Sequence, residues 1–265
     1  MLACIFGPRG SGKSVCTARL TGALSPKLVI DPMGEHVSGY SCGEVDEAYE
    51  YLDRAIELRK PASLAFVSYD PQRVDAVVAK WIADEHGGTI VVDEADMYLP
   101  VHGAADTMIL ECIERGRHLG IDMYFATRRP AQLNRAATAN ADLIVAFRTH
   151  EPRDVKFIQD SAGFVNVRAC MAHLREYESV WIWPAKGEKR FVDRNGNAAR
   201  TLVREDRSDE PNTGPAVDDS GGSPSRGDRT RTVIRHSDKT LQPDNTDTER
   251  GDQNGPESAG SPEAP

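Results

Sequence analysis

The sequence predicts an α/β fold, in which a mainly parallel sheet carries helices on both faces. Short apolar runs suited to buried strands alternate with segments of helical periodicity over roughly the first two hundred residues. A Gly-rich loop follows the first apolar run, and a pair of acidic residues ends a later one. Because parallel strands present their carboxyl ends along one edge of a sheet, we expect these two features to meet there.

The amino-terminal elements follow from apolar spacing and from the residues that interrupt it. Residues 2–6 are an apolar run suited to a buried strand, and residues 14–24 carry an apolar stripe at helical spacing. Residues 27–31 form the second predicted strand, which ends where a Pro follows. Residues 44–59 repeat apolar side chains at helical spacing until Pro61 stops them.

The central elements continue this alternation. Residues 63–68 form a third predicted strand, and the helix predicted over 71–85 begins with Pro at its first position. Two glycines separate that helix from residues 89–93, whose β-branched side chains are typical of a central parallel strand. A helix over 104–118 and a strand over 121–126 follow.

The last elements of the folded part are less regular. Residues 141–147 are an apolar run that predicts a strand, and helices are predicted over 152–160 and 165–174. Residues 179–183 alternate apolar and polar side chains, as a half-exposed strand does, and are expected to pair with 190–192 across a turn.

Composition divides the 265-residue chain into two parts. Residues 1–203 are predicted to form one folded domain, and residues 204–265 an acidic, disordered tail. The tail is rich in Asp, Glu, Ser, Gly and Pro and has no Phe, Trp, Tyr or Cys. Such a segment buries too little apolar surface to offset the entropy lost on ordering. Its apolar stretch at 232–234 is short enough to be incidental, or it is a docking motif.

Cysteine usage and hydropathy limit the possible settings. The five cysteines form no C-x-x-C pair, so we expect reduced thiols in the core of a cytosolic protein. No apolar run is long enough to span a membrane, and the amino terminus has no signal-peptide pattern. We therefore expect the protein in the host cytoplasm or associated with a virion, without an intrinsic membrane span.

The Gly-rich loop has the complete pattern G-x-x-x-x-G-K-[ST] of a phosphate-binding (Walker A) loop. Its glycines allow the tight turns that bring backbone N–H groups against the phosphates of ATP at a helix start. Lys13 is expected to reach the β- and γ-phosphates, and the Ser14 hydroxyl to ligate Mg²⁺. The alternative is a Gly-rich turn with an incidental Lys. The predicted nucleotide-binding residues are Gly7, Pro8, Arg9, Gly10, Ser11, Gly12, Lys13, Ser14 and Val15.

The acidic pair at the end of the 89–93 strand has the pattern of a Walker B motif. Asp93 is expected to hold Mg²⁺ together with Ser14. Glu94 is expected to act as the general base that polarises the attacking water, which indicates hydrolysis rather than phosphotransfer. The alternative places Asp93 as a cap of the next helix and Glu94 on a solvated turn.

Short motifs over residues 1–165 resemble the HerA/FtsK superfamily of ring-forming P-loop ATPases that pump DNA. The family has a helix ending in Arg-x-x-Gly, a turn that runs from Thr through Pro to Leu, and a Pro-Arg-Asp helix start, in this order. The corresponding segments here are 117–120, 127–133 and 152–154, and Asp-Pro-Met-Gly-Glu at 31–35 is similar to a further motif. The resemblance implies a RecA-like P-loop NTPase fold.

The resemblance also implies roles for residues outside the Walker motifs. Arg117 matches the arginine that these rings insert into a neighbour's active site, where it neutralises charge that develops on the phosphates. Arg115 is the nearest rival, and both match the preference for cations at a helix carboxyl end. In the family, the residue directly after the position of Thr127 is usually a Gln that contacts the γ-phosphate. This chain has Arg128 at that position, so Thr127 and Arg128 are both candidates for the γ-phosphate sensor.

DNA is the partner that the resemblance implies, and double-stranded DNA is the expected form. The folded part is slightly acidic overall, so a basic surface must be local. Arg128, Arg129 and Arg135 lie on one loop, and a second group of basic residues lies on another. Either group is expected to line a pore and contact phosphates, or to be ordinary solvated surface. The second group is Lys186, Lys189, Arg190 and Arg194.

The closest functional match is a viral genome-packaging ATPase, which drives DNA into a preformed capsid. We expect self-association into a ring, a hexamer by resemblance, and contacts with capsid or vertex proteins. Because the loop begins at residue 7, we expect the further amino-terminal domains of cellular HerA or FtsK translocases to be absent. A Zot-like assembly ATPase of filamentous phages is an alternative, since Arg-His-x-Gly-x-Asp at 117–122 matches it. A small-molecule phosphotransferase and a non-hydrolysing scaffold are less consistent with Glu94.

Overall fold

A sheet of eleven strands organises the residues that the computed structural model describes, which are 1–36, 39–102, 107–163, 167–202 and 234–235. The strands are β1 (Leu2–Phe6), β2 (Lys27–Ile30), β3 (Tyr40–Cys42), β4 (Ser63–Phe66), β5 (Gly88–Val92), β6 (Ile121–Thr127), β7 (Leu143–Phe147), β8 (Ser179–Trp183), β9 (Glu188–Val192), β10 (Ala198–Leu202) and β11 (Ile234–Arg235). The helices are α1 (Lys13–Thr21), α2 (Val45–Glu57), α3 (Pro71–Ala83), α4 (Met108–Arg115), α5 (Arg135–Ala139), α6 (Pro152–Ala162) and α7 (Val167–His173).

The strand order is β11-β10-β9-β8-β7-β1-β6-β5-β2-β4-β3. Every pairing from β7 to β3 is parallel, and every pairing from β7 to β11 is antiparallel. The predicted mainly parallel sheet is therefore confirmed, with an antiparallel extension at one side. Strand β6 lies between β1 and β5, so it separates the strand before the phosphate-binding loop from the strand before the acidic pair.

Two apolar clusters cover the two faces of the sheet. Alternate side chains of β1 belong to different clusters, with Phe6 in the larger and Ile5 in the smaller. The larger cluster includes residues of α2, α3, α4, α6 and α7, whereas the smaller one receives Cys16 and Leu20 from α1. Trp181 of β8 packs on this smaller cluster too. Helix α1 and the Trp181 side of the antiparallel extension thus share one face of the sheet.

Several elements differ from those the sequence predicts. Strand β3, helix α5 and strand β10 are additional, because each is too short to show a periodic pattern. Helix α4 ends at Arg115, where the chain enters a turn closed by the Ile121 N–H, which donates to the Gly116 carbonyl at 2.8 Å. Residues 104–106 and 165–166, which are predicted to be helical, lie outside the described residues.

The predicted disordered tail has one described segment. Ile234–Arg235 forms β11 and pairs antiparallel with residues 201–202 of β10. The apolar stretch at 232–234 thus supplies one strand residue, Ile234. The disorder of residues 204–265 remains a prediction. Residues 203–233 and 236–265 lie outside the described part of the chain.

Candidate nucleotide-binding and hydrolysis site

The candidate site lies where β1, β6 and β5 end, at the carboxyl edge of the sheet. Phe6 at the end of β1 is in register with Thr127 at the end of β6. On the other side of β6, Val92 of β5 is in register with Phe125. The Gly7 N–H donates to the Thr127 carbonyl at 3.3 Å, which ties the phosphate-binding loop to the neighbouring strand. The two sequence motifs thus meet at one edge, as predicted.

The loop has the backbone that its glycines permit. Gly10 and Gly12 have φ values of 75° and 104°, in the region where a side chain would be strained. A Cβ added to Gly7 would lie 2.7 Å from the Phe147 Cβ, so the loop packs directly on the end of β7. Beside Gly10 nothing lies within 4 Å, which leaves the loop's concave surface open to a ligand. The loop therefore has the shape that a polyphosphate requires.

Lys13 and Ser11 both have hydrogen-bond donors available for phosphate oxygens. The Lys13 ammonium group is buried and donates to the Pro8 carbonyl at 3.2 Å. Burial lowers the pKa of Lys13, and the carboxylates of Glu94 and Asp93 partly oppose that shift. The Ser11 hydroxyl oxygen is buried, and no described residue hydrogen-bonds to it. A buried hydroxyl without a partner is costly, and a phosphate oxygen would satisfy it.

Mg²⁺ fits the oxygen donors at this edge. Ser14 is exposed at the first turn of α1, and Asp93 is buried directly after β5. The Glu94 N–H donates to one oxygen of Asp93 at 2.9 Å, which fixes the orientation of the carboxylate. The second oxygen lies beside His36. A hydroxyl and a carboxylate are the hard oxygen ligands that Mg²⁺ prefers.

His36 is a site residue that sequence reasoning missed. Its Nε2 lies 3.2 Å from the second oxygen of Asp93. Asp31, which is fully buried, accepts N–H groups from Met33 and Gly34 at 3.0 Å and from His36 at 2.6 Å. Ligand atoms of Asp31, His36 and Asp93 lie within 4.8 Å of one another, a spacing that a metal ion could occupy. The signal for His36 was its position directly after the Asp-Pro-Met-Gly-Glu motif.

The His36–Asp93 contact changes the pKa of both groups. The hydrogen bond to Asp93 raises the pKa of His36, although burial opposes that shift. Burial opposes ionisation of Asp93, but the hydrogen bonds from His36 and from the Glu94 N–H outweigh it and lower the pKa of Asp93. Asp93 therefore stays ionised, as a metal ligand must.

Glu94 is held in an uncommon backbone conformation. Its φ of 46° lies in the left-handed region, which is strained for a residue with a side chain and is found at functional sites. One of its carboxylate oxygens accepts the Nε of Arg128 at 2.6 Å. Burial raises the pKa of Glu94, and the Arg128 guanidinium counteracts that shift. The structure thus places Arg128 beside the predicted general base.

Thr127 lies in the site but its hydroxyl is already engaged. The side chain is fully buried and donates to a carboxylate oxygen of Asp96. The same hydroxyl accepts the Arg129 N–H at 3.0 Å. These bonds tie the end of β6 to the turn after the acidic pair. The sensing role of Thr127 remains a prediction, and its observed contacts stabilise the loop that carries Arg128.

Arg117 lies at the opposite edge of the sheet from Lys13. Its guanidinium donates to Asp142 at 2.8 Å, and Asp142 also accepts the N–H of Leu2 at the start of β1. The Arg117 side chain is 79% exposed. It therefore does not reach the phosphate-binding loop of its own chain, and its role in a neighbouring chain remains a prediction. Arg115 pairs with Glu111 on α4 at 2.5 Å.

In each of the two predicted basic groups, at least one arginine contacts a side chain of the same protein. The Arg135 guanidinium lies 5.8 Å from the centre of the Phe157 ring, and that of Arg190 lies 5.3 Å from the Trp183 ring. Arg190 also contacts Glu188 at 3.5 Å. The contact of DNA with either group remains a prediction.

The strand order and the phosphate-binding loop together define a P-loop NTPase fold. The chain belongs to the zonular occludens toxin (Zot) family, whose sequence profile matches residues 1–156. No curated protein sequence matches the chain. Within the described ranges, none of the helices has the length and apolar character that crossing a membrane requires.

Solved structures with similar folds agree with this assignment. The genome-packaging NTPase B204 of Sulfolobus turreted icosahedral virus 2, in complex with AMPPCP, aligns with a TM-score of 0.59 and 17% identity. This match covers 72% of the present chain and 95% of B204. VirB4 of Thermoanaerobacter pseudethanolicus aligns with a TM-score of 0.50 and 13% identity, over 72% of this chain and 88% of VirB4. At these identities the likeness confirms the predicted P-loop fold.

Proposed function

We propose that this protein is an ATP hydrolase that moves DNA during the assembly of a virus particle. The observation that carries the proposal is the meeting of Lys13, Asp93 and Glu94 at the carboxyl edge, where β1 and β5 end on either side of β6. A phosphate-binding lysine, a metal-binding carboxylate and a second carboxylate for water activation are the parts that hydrolysis needs.

Each residue has a separate task in this mechanism. The loop N–H groups and Lys13 bind the β- and γ-phosphates, which are held at the positive end of α1. Ser14 and Asp93 would hold Mg²⁺, which supplies positive charge to the phosphate oxygens. Glu94 accepts a proton from the attacking water as its oxygen bonds to the γ-phosphorus and the bond to ADP breaks. Arg117 of a neighbouring chain neutralises charge on the phosphates, and this requires an assembly of at least two chains, for which we propose a ring.

The DNA substrate is inferred from the class. Membership of the Zot family supports a role in filamentous-phage assembly, the function that the Arg-His-x-Gly-x-Asp motif at 117–122 also favours. The description of B204 as a DNA-packaging ATPase supports the alternative function, which is packaging into a preformed capsid. In that case the substrate would be double-stranded DNA, the partners would be capsid proteins, and the location would be the host cytoplasm. Both functions couple ATP hydrolysis to DNA movement. We favour the assembly function because it rests on a match of sequence over most of the ATPase core.

The experiment is an ATPase assay on the full chain with Mg²⁺, with and without single-stranded or double-stranded DNA. We expect hydrolysis that EDTA abolishes and that DNA accelerates, at a specific rate that rises with protein concentration as the ring forms. Lys13→Ala is the matched inactive control, since it removes the charge that reaches the phosphates. A chain that hydrolyses ATP at the same rate with either DNA and without DNA contradicts the proposed substrate. If the full chain hydrolyses no ATP under any of these conditions, the proposal that it is an ATP hydrolase is wrong.

A further inference from the structure

A cavity of about 820 Å³ adjoins the phosphate-binding loop on the face that α1 shares with the antiparallel extension. Its walls come from α1 on one side and from β8, β9 and the turn after β9 on the other. The residues that matter here are Arg19, Phe147, Tyr177, Trp181, Asp193 and Arg194. Most of the second wall lies beyond residue 156, where the match to the family ends. The described part of the carboxyl-terminal region thus builds a space beside the loop.

The cavity is continuous with the proposed phosphate site. Gly10, Gly12, Lys13 and Ser14 line it as well. Because the loop and the start of α1 hold the phosphates, the remainder of a nucleotide must extend away from them into the adjacent space. A volume of this size lies within the range of pockets that enclose small organic ligands.

Tyr177 presents an aromatic ring at the mouth of this cavity. The side chain is 41% exposed, although tyrosine rings are usually more covered. Its φ of 61° is uncommon for a bulky residue, and such strain marks binding sites more often than ordinary turns. A Cβ added to Gly12 would lie 3.6 Å from the Tyr177 ring, so the ring stands directly against the loop.

Hydrogen bonds within and between α1, β8 and the turn after β9 hold the remaining walls of the cavity in place. The Trp181 indole N–H donates to the Ser179 hydroxyl at 3.0 Å, which holds the plane of the ring. Arg19 of α1 donates to the Arg194 carbonyl at 2.8 Å and so joins the two walls. Asp193 accepts the N–H groups of Asn195 and Asn197 at 2.8 and 2.9 Å, which orders the turn after β9. The cavity is therefore built by specific contacts rather than left between loosely packed elements.

We propose that this cavity is the subsite for the base and ribose of the nucleotide, with Tyr177 as the ring on which a purine stacks. The inference rests on the proposed function, because it concerns the ligand of the same phosphate-binding loop. Aromatic rings stack on bases through their π-faces, and a purine offers the larger face. Residues outside the family-matched segment thereby contribute to the affinity and the base preference of the enzyme.

The test compares ligands that share the phosphates but differ in the base. Binding of AMPPCP and of inorganic tripolyphosphate to the full chain is measured by titration calorimetry, and a cytidine triphosphate is added as a pyrimidine probe. We expect AMPPCP to bind more tightly than either of the other two. Because Trp181 lines the cavity, AMPPCP and not tripolyphosphate should change the tryptophan fluorescence, and Trp181→Phe should remove that change.

Substitutions then test the ring itself. Tyr177→Ala should weaken AMPPCP binding at least about fivefold and leave tripolyphosphate binding unchanged, since base stacking alone is lost. Tyr177→Phe keeps the ring and should bind as the wild type does. Tyr40→Ala is the matched control, because Tyr40 is also 41% exposed but lies on β3 at the far side of the sheet.

The outcomes separate this inference from the proposed function. If the wild type binds tripolyphosphate as tightly as AMPPCP, or if Tyr177→Ala binds AMPPCP normally, the base subsite is wrong while the phosphate site stands. Equal losses of both ligands in Tyr177→Ala would show that the ring only supports the loop, which also overturns the inference. A wild-type chain that binds neither ligand contradicts the proposed enzyme together with its base subsite.

Discussion

Arg128 holds Glu94 through a hydrogen bond of 2.6 Å between the guanidinium Nε and a carboxylate oxygen. The contact joins the end of β6 to the residue after Asp93, across the two strands that supply the site. Glu94 is thus positioned from two sides, by its strained backbone and by a cation. The carboxylate proposed to activate water is thus paired with a guanidinium.

Replacing Glu94 by Gln should separate ATP binding from hydrolysis. The amide keeps the shape of the side chain but cannot take a proton from water, so turnover should fall by about 10²-fold or more. Nucleotide affinity, measured by titration calorimetry, should stay near the wild-type value because Lys13 and the loop are unchanged. Glu114→Gln, at an exposed position of α4, is the matched control and should hydrolyse ATP normally. A Glu94→Gln chain with near wild-type turnover would rule out this residue as the base.

Replacing Arg128 by Ala should lower turnover, because Glu94 loses the partner that orients its carboxylate. Arg129→Ala is the matched control, since Arg129 is the next residue and is exposed. Phosphate release at saturating ATP measures both variants, and AMPPCP affinity checks that the loop is intact. Turnover that rises in Arg128→Ala would show the reverse role, in which the pair restrains Glu94 until nucleotide binds.

Mixed rings should test Arg117 directly. Arg117→Ala alone should be nearly inactive but should bind ATP, because its own loop is unaltered. Mixing it with Lys13→Ala chains should restore activity at interfaces where an intact Lys13 faces an intact Arg117. An arginine supplied from a neighbour is worth on the order of 10³-fold in turnover, so partial rescue is measurable.

Arg115→Ala is the control for the mixing experiment, because Arg115 is the rival that pairs with Glu111 on its own helix. Its activity should change little, and mixing should add nothing. Wild-type turnover in Arg117→Ala would exclude Arg117 as the arginine that acts in a neighbour's site. An absence of rescue together with a rate independent of protein concentration would mean a monomeric enzyme.

The cysteine thiols should resist modification in the folded chain. All five cysteines lie within the described residues and are buried and free. Burial raises the pKa of Cys16 and of Cys42 to about 11 and that of Cys112 to about 12. The reactive thiolate is therefore scarce at pH 8 and increases only as the pH approaches those values. A disulfide-exchange reagent should modify the five thiols after unfolding in urea, and rapid modification of native chains would contradict the described packing.

The sequence was sufficient for the parts of the site that local pattern encodes. The loop from Gly7 to Ser14 and the strand before Asp93 have strong signals, and their meeting follows from parallel strand topology. The pairing of Arg128 with Glu94 and the approach of His36 to Asp93 depend on how separate strands end. No spacing along the chain records these contacts. Tyr177 was missed because an isolated aromatic residue in a loop carries no periodic signal.

The placement of Arg117 and Lys13 at opposite edges has a consequence for symmetry. The five residues of β1 span about 17 Å at the usual rise per strand residue, so the sheet holds the cation and the phosphate site well apart. A two-fold dimer joins the two only if a single interface patch includes both edges, because a two-fold axis pairs residue i of one chain with residue j of the other and the reverse. A contact between two separate patches is heterologous instead. Repeated head to tail, such contacts close into a cyclic assembly or continue as a filament, and the rotation between neighbours decides which.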